Sequence, residues 1–234
     1  ISHMLGDSEA KAVVALADLV PNVLEVQDDT DVEQVVSVGA DVDGATEFDD
    51  FLAEDTKAVV DRDDDDVAVQ PYTSGTTGTP KGVLLTHHNL AFTTRANAVI
   101  PPGGFQASDR LIGTLPLFHI YALNAVMGTY LYRGGTMHLQ PEPDGEQMLR
   151  GIDEHGATTF AGVPAMFTMM WRAYREEPDA YDVSSLRYVN CAAAPLADEV
   201  RRTIEEAWNL PMVEGWGMTE TAPAGTVEPA HGVR

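Results

Sequence analysis

The chain has 234 residues, with 14 Lys and Arg against 37 Asp and Glu, a net charge of −23 and 44% hydrophobic residues. This composition predicts a folded protein, and the length allows one large domain or two small ones. So negative a chain is a poor general nucleic-acid binder. Its one cysteine, Cys191, excludes an intramolecular disulfide and any multi-cysteine metal site.

Lysine is scarce: the chain has eleven arginines and only Lys11, Lys57 and Lys81. Many carboxylates with few lysines indicate a salt-rich cytosol, where screening weakens the repulsion between acidic groups. An acidic protein of an ordinary cytosol is the alternative. We expect a halophilic, cytoplasmic protein, and no signal peptide is expected because no basic start precedes an apolar stretch.

The opening residues Ile1–Met4 resemble the remnant of a cleaved expression tag and are expected to lie outside the fold. Residues 1–66 hold twenty acidic and three basic residues, and the run Asp61–Asp66 ends this part. That run lacks the ligand spacing of an EF-hand, which favours a solvated loop. We expect an acidic α/β segment over 5–66 and the domain core over 67–234.

From residue 67 onward, strand-like segments alternate with helix-like ones. Strands are predicted at 67–72, 110–115, 136–140, 158–163, 187–191 and 212–214. Helices are predicted at 86–99, 119–132, 145–155, 164–176 and 197–208. This alternation predicts the α/β class, with a layered, mainly parallel β-sheet flanked by helices and ligands bound beyond the carboxyl ends of its strands. The uncharged segment 111–132 is interrupted by Pro116, His119 and Asn124, which favours buried core over a membrane span.

The loop after the strand at 67–72 reads YTSGTTGTPKG over residues 72–82. Glycines let backbone N–H groups turn toward an anion, hydroxyls add donors, and Lys81 adds a positive charge. Pro80 and Gly82 flank the lysine, so the spacing is not that of a Walker A loop. A surface turn is the alternative, but Lys81 is the only lysine after residue 66. The residues predicted to bind polyphosphate are Thr73, Ser74, Gly75, Thr76, Thr77, Gly78, Thr79 and Lys81.

This loop, followed by VLLTHHNL, resembles the phosphate-binding signature of the adenylate-forming enzymes: acyl-CoA synthetases, luciferases and peptide-synthetase adenylation domains. Four later segments resemble the next family motifs in the same order. They are LPLFHIYAL (115–123), GVPAMF (162–167), CAAAPL (191–196) and EGWGMTET (214–221). Within the superfamily, the chain most resembles a long-chain fatty-acid CoA ligase.

The resemblance implies a two-step reaction. A carboxylate attacks the α-phosphate of ATP, giving an acyl-adenylate and pyrophosphate, and the acyl group then passes to coenzyme A. It also implies that this chain is a central part of the large N-terminal domain, with the small C-terminal domain absent. We expect such a fragment to be inactive alone in thioester formation and to self-associate through exposed surfaces.

The resemblance assigns roles to single residues. Thr219 would contact phosphate and Glu220 would carry Mg²⁺, for which a hard carboxylate oxygen is suited. Alanines stand at the adenine-binding turn, where the family is usually glycine-rich, and Trp216 stands where tyrosine is common. The implied nucleotide-binding residues besides the phosphate loop are Ala193, Ala194, Pro195, Gly215, Trp216, Gly217 and Thr219, and the implied catalytic residues are Lys81, Thr219 and Glu220.

The resemblance also implies that the acid contacts His119, Gly162, Val163 and Pro164, although a lone histidine in an apolar segment is more often structural. Met166, Phe167, Met169 and Met170 could line an alkyl tunnel or fill an ordinary core. The expected ligands are a fatty acid, ATP with Mg²⁺, and coenzyme A, without nucleic acid or an integral membrane segment. The alternatives are another adenylate-forming ligase, for aryl or amino acids, and a non-catalytic nucleotide-binding module.

Overall fold

A computed structural model describes residues 1–52, 59–74, 78–101 and 103–228. The chain divides into two compact units, residues 1–84 and 85–234. The expected boundary at residue 66 therefore falls inside the first unit. Hydrogen bonds explain the difference, because the Tyr72 hydroxyl lies 2.7 Å from the Asp7 carboxylate and 3.0 Å from the Met4 carbonyl. The interpretation of residues 1–4 as a tag remnant stays a prediction, although Ser2–Asp7 forms a helix.

The first unit contains a parallel three-stranded sheet in the order β1-β2-β3 and a separate antiparallel pair, β5-β6. Its small core is built from valines of the second helix and strand, with Val20 and Val36 fully buried. The elements are α1 (Ser2–Asp7), β1 (Ala12–Leu16), α2 (Val20–Gln27), β2 (Gln34–Val38), β3 (Thr46–Glu47), α3 (Phe48–Phe51), β4 (Val67–Val69), β5 (Tyr72–Thr73) and β6 (Lys81–Gly82).

The second unit is built on a six-stranded sheet with the order β13-β12-β11-β10-β8-β9. All neighbouring strands in it are parallel except β12 and β13. This arrangement confirms the predicted α/β class, a mainly parallel sheet flanked by helices. The elements are β7 (Leu85–Thr86), α4 (His87–Asn97), β8 (Arg110–Gly113), α5 (Thr129–Arg133), β9 (Thr136–Leu139), α6 (Gly145–His155), β10 (Thr159–Gly162), α7 (Pro164–Glu176), β11 (Tyr188–Ala192), α8 (Asp198–Trp208), β12 (Met212–Gly217) and β13 (Ala224–Val227).

Local chemistry explains where the best-predicted helices begin and end. The Asp144 side chain accepts the Gln147 N–H at 2.9 Å, and Gly156 ends the same helix in the left-handed conformation at φ 57°. Helix α7 begins with Pro164, whose missing N–H needs no partner in the first turn. Both helices have the predicted bounds. The predicted helix 119–132 is instead a π-helix, Tyr121–Gly128, that continues into α5.

Along each central strand, odd and even residues face opposite sides of the sheet. One side packs against α6, α7 and α8 in a buried apolar cluster that includes Ile112, Phe160, Val189, Cys191 and Met212. We call this the filled face. Burial raises the pKa of the Cys191 thiol to about 12, so this cysteine is a small apolar core residue rather than a nucleophile.

In the part of the chain that the structure describes, no helix is long and apolar enough to span a bilayer.

Candidate functional site

The predicted phosphate-binding loop connects the two strands of an antiparallel pair in the first unit. Thr73 lies directly opposite Lys81, so the pairing brings the two ends of the loop together. Gly78 has φ 84°, a left-handed conformation that glycine adopts without a Cβ penalty. The side chains of Ser74 and Thr79 are exposed. Gly75, Thr76 and Thr77 lie outside the described residues.

Lys81 is exposed, and no carboxylate among the described residues lies within ion-pairing distance of it. Lys11, in the same unit, differs because its ammonium lies 3.7 Å from Asp31 and 3.8 Å from Glu33. Lys81 therefore carries a positive charge without an internal partner in the described structure. Beside a loop of glycines and hydroxyls, such a charge suits a phosphate ligand.

A cavity of about 140 Å³ lies in the second unit, against the face of the sheet opposite the filled face. We call this the cavity face. Its floor consists of alternate strand residues, which the register places in rows. Thr159 pairs with Tyr188, Ala161 pairs with Asn190, and Ala192 pairs with Gly215. The cavity therefore runs along the strands, from their carboxyl ends toward their amino ends.

The opposite wall is the π-helix and its continuation in α5. Tyr121, Ala125 and Thr129 follow at intervals of four residues, and all three line the cavity. The Tyr121 hydroxyl donates to Asn190 Oδ1 at 2.5 Å, and the Tyr130 hydroxyl is hydrogen-bonded to Thr159. Burial raises the pKa of both tyrosines well above the ordinary value, so both hydroxyls keep their protons. These bonds fix the helical segment to the floor at two points.

The mouth of the cavity collects several residues that the sequence predicted to bind substrate or nucleotide. They are His119, Ala193, Gly215, Trp216 and Gly217. His119 Nδ1 accepts the Tyr121 backbone N–H at 3.2 Å, which leaves Nε2 as the ring nitrogen that carries the proton in the neutral form. An exposed N–H at the mouth can donate to a carboxylate.

Two backbone features shape this mouth. Ala193 has φ 72°, a left-handed conformation in which alanine is strained and glycine is not. Trp216 is 60% exposed, and Gly225 packs against its ring so closely that an added Cβ would lie 2.6 Å from Trp216 Cε3. The indole is thus supported on one side and open on the other, which suits stacking against a planar ligand.

The segment with Thr219 and Glu220 is a single 3-10 turn, Thr219–Thr221. It is followed by Ala222, whose carbonyl accepts from buried Asn124 Nδ2 at 2.7 Å and lies 2.8 Å from Thr93 Oγ1. Asn124 also donates to Thr93 Oγ1 and accepts from the Thr94 hydroxyl at 3.0 Å. Sequence reasoning noted Asn124 only as an interruption of an apolar segment. A polar amide in an otherwise apolar segment could have indicated a buried polar network. Here that network holds the residue that follows the Thr219–Thr221 turn.

Glu220 is exposed, and the described residues contain no group of three or more His, Cys, Asp or Glu side chains that could hold a metal ion. A dedicated protein cage for a cation is therefore absent from the described part. Mg²⁺ in nucleotide sites commonly uses one or two carboxylates, with substrate phosphates and water completing its shell. A single exposed carboxylate fits that kind of site.

Other predicted site residues of the second unit do not line the cavity. For the nucleotide and the metal ion they are Ala194, Pro195, Thr219 and Glu220, and for the acid they are Gly162, Val163 and Pro164.

Of the two alternatives for Met166, Phe167 and Met170, an alkyl tunnel or an ordinary core, the structure shows the core, because α7 packs on the filled face and buries all three there. Gly162 faces that same core, where an added Cβ would lie 2.7 Å from Phe160 Cε1. Contact between Gly162–Pro164 and substrate stays a prediction.

Sequence reasoning missed most of the inner cavity. Its lining includes the buried aromatics Phe105, Tyr130 and Tyr188 together with Asn97 and Thr129. The alternation of residues along 188–192 could have indicated the floor. The helical wall was harder to recognise, because a π-helix shifts the positions that share one face.

Comparison with known proteins gives a consistent result. The family model described as AMP-binding enzyme matches residues 1–234. A long-chain-fatty-acid–CoA ligase from Bacillus subtilis (strain 168) is 36% identical over 158 residues, which cover 68% of this chain and 28% of that protein. A 4-coumarate–CoA ligase 1 from Solanum tuberosum is 34% identical over 224 residues, covering 92% of this chain and 40% of that protein.

Among solved structures, a long-chain-fatty-acid-CoA ligase from Archaeoglobus fulgidus superposes with a TM-score of 0.83 at 31% identity. The match covers 97% of this chain and 46% of that one. The chain thus spans less than half the length of these relatives. Family model, sequence relatives and fold agree, and the chain belongs to the AMP-binding enzyme family.

Proposed function

We propose that this chain is the part of an AMP-forming acid–thiol ligase that binds ATP and the carboxylic acid. The enzyme would convert the acid and ATP to an acyl-adenylate and pyrophosphate, and would then transfer the acyl group to the sulfur of coenzyme A with release of AMP. The observation that carries the proposal is the cavity on the sheet, with His119, Ala193 and Gly215–Gly217 at its mouth. These residues belong to three of the motifs that resemble the adenylate-forming enzymes.

In the first step, the acid would enter the cavity with its carboxylate at the mouth, where His119 Nε2–H donates to it. The walls around the rest of the acid are mainly apolar, which keeps water from the reacting end. Lys81 and the hydroxyls of Thr73, Ser74 and Thr79 would hold the β- and γ-phosphates and stabilise the negative charge of departing pyrophosphate. We extend the same role to Gly75, Thr76, Thr77 and Gly78 because they belong to the same motif.

On the nucleotide, Ala193, Ala194 and Pro195 would contact adenine, with Trp216 stacking beside it and Gly215 and Gly217 allowing close approach. Thr219 would bind phosphate, held by the Asn124 network behind its turn. Glu220 would hold Mg²⁺, which neutralises phosphate charge when bound.

Two classes of acid are candidates. A fatty acid follows from the resemblance, and the Bacillus subtilis and Archaeoglobus fulgidus relatives are named long-chain-fatty-acid–CoA ligases. An aryl acid is supported by the relatives named 4-coumarate–CoA ligases. Both classes stay candidates, and the same assay distinguishes them.

Acid-dependent exchange of labelled pyrophosphate into ATP tests the proposal. A panel of fatty, aryl and amino acids should give exchange with fatty or aryl acids, and Lys81→Ala should lower the rate about a hundredfold. Lys11→Ala is the matched control, since Lys11 already has partners, and should leave the rate unchanged. Preference for amino acids would favour the other ligase class. ATP binding without any exchange would favour a non-catalytic nucleotide-binding module.

We also propose a salt-rich, reducing cytoplasm as the working compartment. The net charge of −23 and the single buried cysteine support this. The melting temperature should rise strongly with KCl and much less with an uncharged osmolyte at equal osmolality. Equal responses to both would contradict the halophilic assignment.

Self-association of this chain is a further proposal. Leu131, Tyr132 and Leu139 are exposed near β9, which is an edge strand of the sheet. Exposed apolar side chains beside a free strand edge favour association. Sedimentation velocity at several concentrations should show dimers or larger species, and monomer at every concentration would contradict the proposal.

A further inference from the structure

We propose that Asp7 is a positioning residue for the phosphate-binding loop, and that it acts by holding the hydroxyl of Tyr72 at the start of that loop. The inference rests on the proposed function, because it takes residues 73–81 as the phosphate site. It adds a residue that lies 65 positions before Tyr72, outside the segments that resemble the family motifs. All the groups involved belong to the first unit.

The two ends of the loop are joined by a very short pair of strands. Strands β5 and β6 have two residues each and form a two-stranded sheet, in which Thr73 pairs with Lys81 and Tyr72 pairs with Gly82. An isolated pair of strands is only marginally stable in water. The position of Thr73 relative to Lys81 therefore depends on further contacts to these strands.

Three side chains beside the pair form a closed set of hydrogen bonds. The Tyr72 hydroxyl donates to Asp7 Oδ2 at 2.7 Å, and Gln70 Nε2 donates to the Tyr72 hydroxyl at 3.0 Å. The second N–H of Gln70 donates to the same Asp7 oxygen at 3.3 Å. The Met4 carbonyl also lies 3.0 Å from the Tyr72 hydroxyl, but the shorter contact with the charged group receives its single proton. Partial burial and the bond to Asp7 raise the pKa of Tyr72, so the hydroxyl keeps that proton.

This set of bonds reaches both strands. Tyr72 belongs to β5 itself. On β6, the Gln70 side chain lies against the backbone of Gly82, where an added Cβ would overlap the amide nitrogen. The glycine after Lys81 thus leaves room for the side chain that donates to Asp7. A carboxylate that fixes Tyr72 and Gln70 therefore limits the movement of β5 against β6.

Asp7 is held in turn by the core of the first unit. It is the last residue of α1, and Leu5 of that helix packs against the buried valine cluster that contains Val20 and Val35. The Leu5 carbonyl accepts the Ala10 N–H at 3.2 Å, just before β1 begins. The bond from Asp7 to Tyr72 therefore connects the loop to a packed core.

His3 makes a second contact between the same helix and the loop. Its Nε2 lies 2.9 Å from the Pro80 carbonyl, next to Lys81. Helix α1 thus contacts residues at both ends of the loop. Residues 1–4 are predicted to be a tag remnant, so the inference rests on Asp7 and not on this contact.

The negative charge of Asp7 makes the two possible effects of its removal opposite in sign. A carboxylate repels an anionic ligand, so its loss would strengthen phosphate binding if charge alone mattered. Positioning predicts weaker binding, because loss of the bond to Tyr72 loosens the strands that carry Thr73 and Lys81. The direction of the change in affinity therefore distinguishes positioning from charge.

Calorimetric titration of this chain with Mg·ATP in concentrated KCl tests the inference. Asp7→Ala should weaken binding about fivefold, the size of effect expected from a contact outside the ligand site. Asp7→Asn keeps an oxygen that can accept from Tyr72 and should restore wild-type affinity. Glu25→Ala removes the same charge from an exposed position on α2 and should leave the affinity unchanged.

Tyr72→Phe removes the other partner of the bond and should weaken Mg·ATP binding to the same extent as Asp7→Ala. Because both variants break one bond, the double variant Asp7→Ala/Tyr72→Phe should bind no more weakly than either variant alone. Circular dichroism and the melting temperature check folding, and Tyr72→Phe tests the same bond if Asp7→Ala does not fold.

Equal affinities of wild type, Asp7→Ala and Tyr72→Phe, or tighter binding by Asp7→Ala, would overturn the inference alone. A lower melting temperature with unchanged affinity would limit Asp7 to a structural role and would overturn it as well. Failure of the folded wild type to bind Mg·ATP, with no pyrophosphate exchange for any acid, would overturn both the inference and the proposed function.

Discussion

The two faces of the six-stranded sheet are built from neighbouring residues of the same strands, yet one face is closely packed and the other carries a cavity. Val189 and Met212 belong to the filled face, whereas Asn190 and Val213 line the cavity. Large apolar side chains from α6, α7 and α8 fill the first face. On the second, small residues such as Ala161, Ala192 and Gly215 leave space under the π-helix. Stability and binding are thus divided between alternate residues of one sheet.

The largest expected effect is on the filled face. Phe167 is fully buried and packs edge-on against Phe160, with ring centroids 5.5 Å apart. Phe167→Ala should lower the free energy of unfolding by about 3–5 kcal/mol, because the core cannot collapse around the lost ring. Trp216→Ala, at the exposed mouth of the cavity, should cost less than about 1 kcal/mol. Urea unfolding measures both, and equal costs would break the distinction between the faces.

The polar network beside the cavity should come next. Asn124→Leu leaves the Thr94 hydroxyl short of its acceptor and the Ala222 carbonyl short of one donor, and should cost about 2–3 kcal/mol. Because Ala222 follows the Thr219–Thr221 turn, affinity for Mg·ATP should fall as well. Thr129→Val, one turn away, serves as the control and should leave the free energy of unfolding nearly unchanged. Loss of stability without loss of nucleotide affinity would limit Asn124 to a structural role.

A matched pair of valines compares the faces directly. Val189→Ala opens a new void in the filled face and should cost about 2–3 kcal/mol. Val213→Ala only enlarges an existing cavity, so it should cost about 1 kcal/mol. Both are nearly fully buried, so their exposure does not explain a difference. If urea unfolding shows that both variants lose the same free energy of unfolding, then side chains fill the cavity in solution and Val213 is packed as tightly as Val189.

The smallest expected effect is on the pH dependence of stability. Burial lowers the pKa of His138, and the nearby His155, stacked on it at 4.0 Å, lowers it further. The unfolded chain therefore binds more protons at this site, so the contribution of His138 to stability increases as pH rises through the unfolded value of 6.5. The difference between wild type and His138→Gln in the free energy of unfolding should change in that direction between acidic and neutral pH. If this difference in the free energy of unfolding does not change with pH, the lowered pKa of His138 is contradicted.

Much of the filled face could be predicted from sequence, because its helices have clear periodicity and end signals. Helices α6 and α7 begin and end at the predicted residues, where Asp144, Gly156 and Pro164 determine the ends. Segments at the mouth were identified through motifs, and the structure brings His119, Ala193 and Trp216 to one cavity.

The inner cavity could not be predicted in the same way. It depends on which residues of a π-helix face the floor, and on long-range pairs such as Tyr121 with Asn190. The GVPAMF segment shows the opposite error, because its large apolar side chains suggested a pocket but pack into the core. Apolar character alone does not distinguish a side chain that fills a core from one that lines a cavity.

A crystal structure of this chain with an aryl acid and Mg·ATP bound would show whether the acid occupies the cavity. We expect the ring on the cavity face, between the row of Thr159 and Tyr188 and the wall of Tyr121 and Thr129, with the carboxylate near His119. A ring bound elsewhere, with the cavity empty, would contradict it.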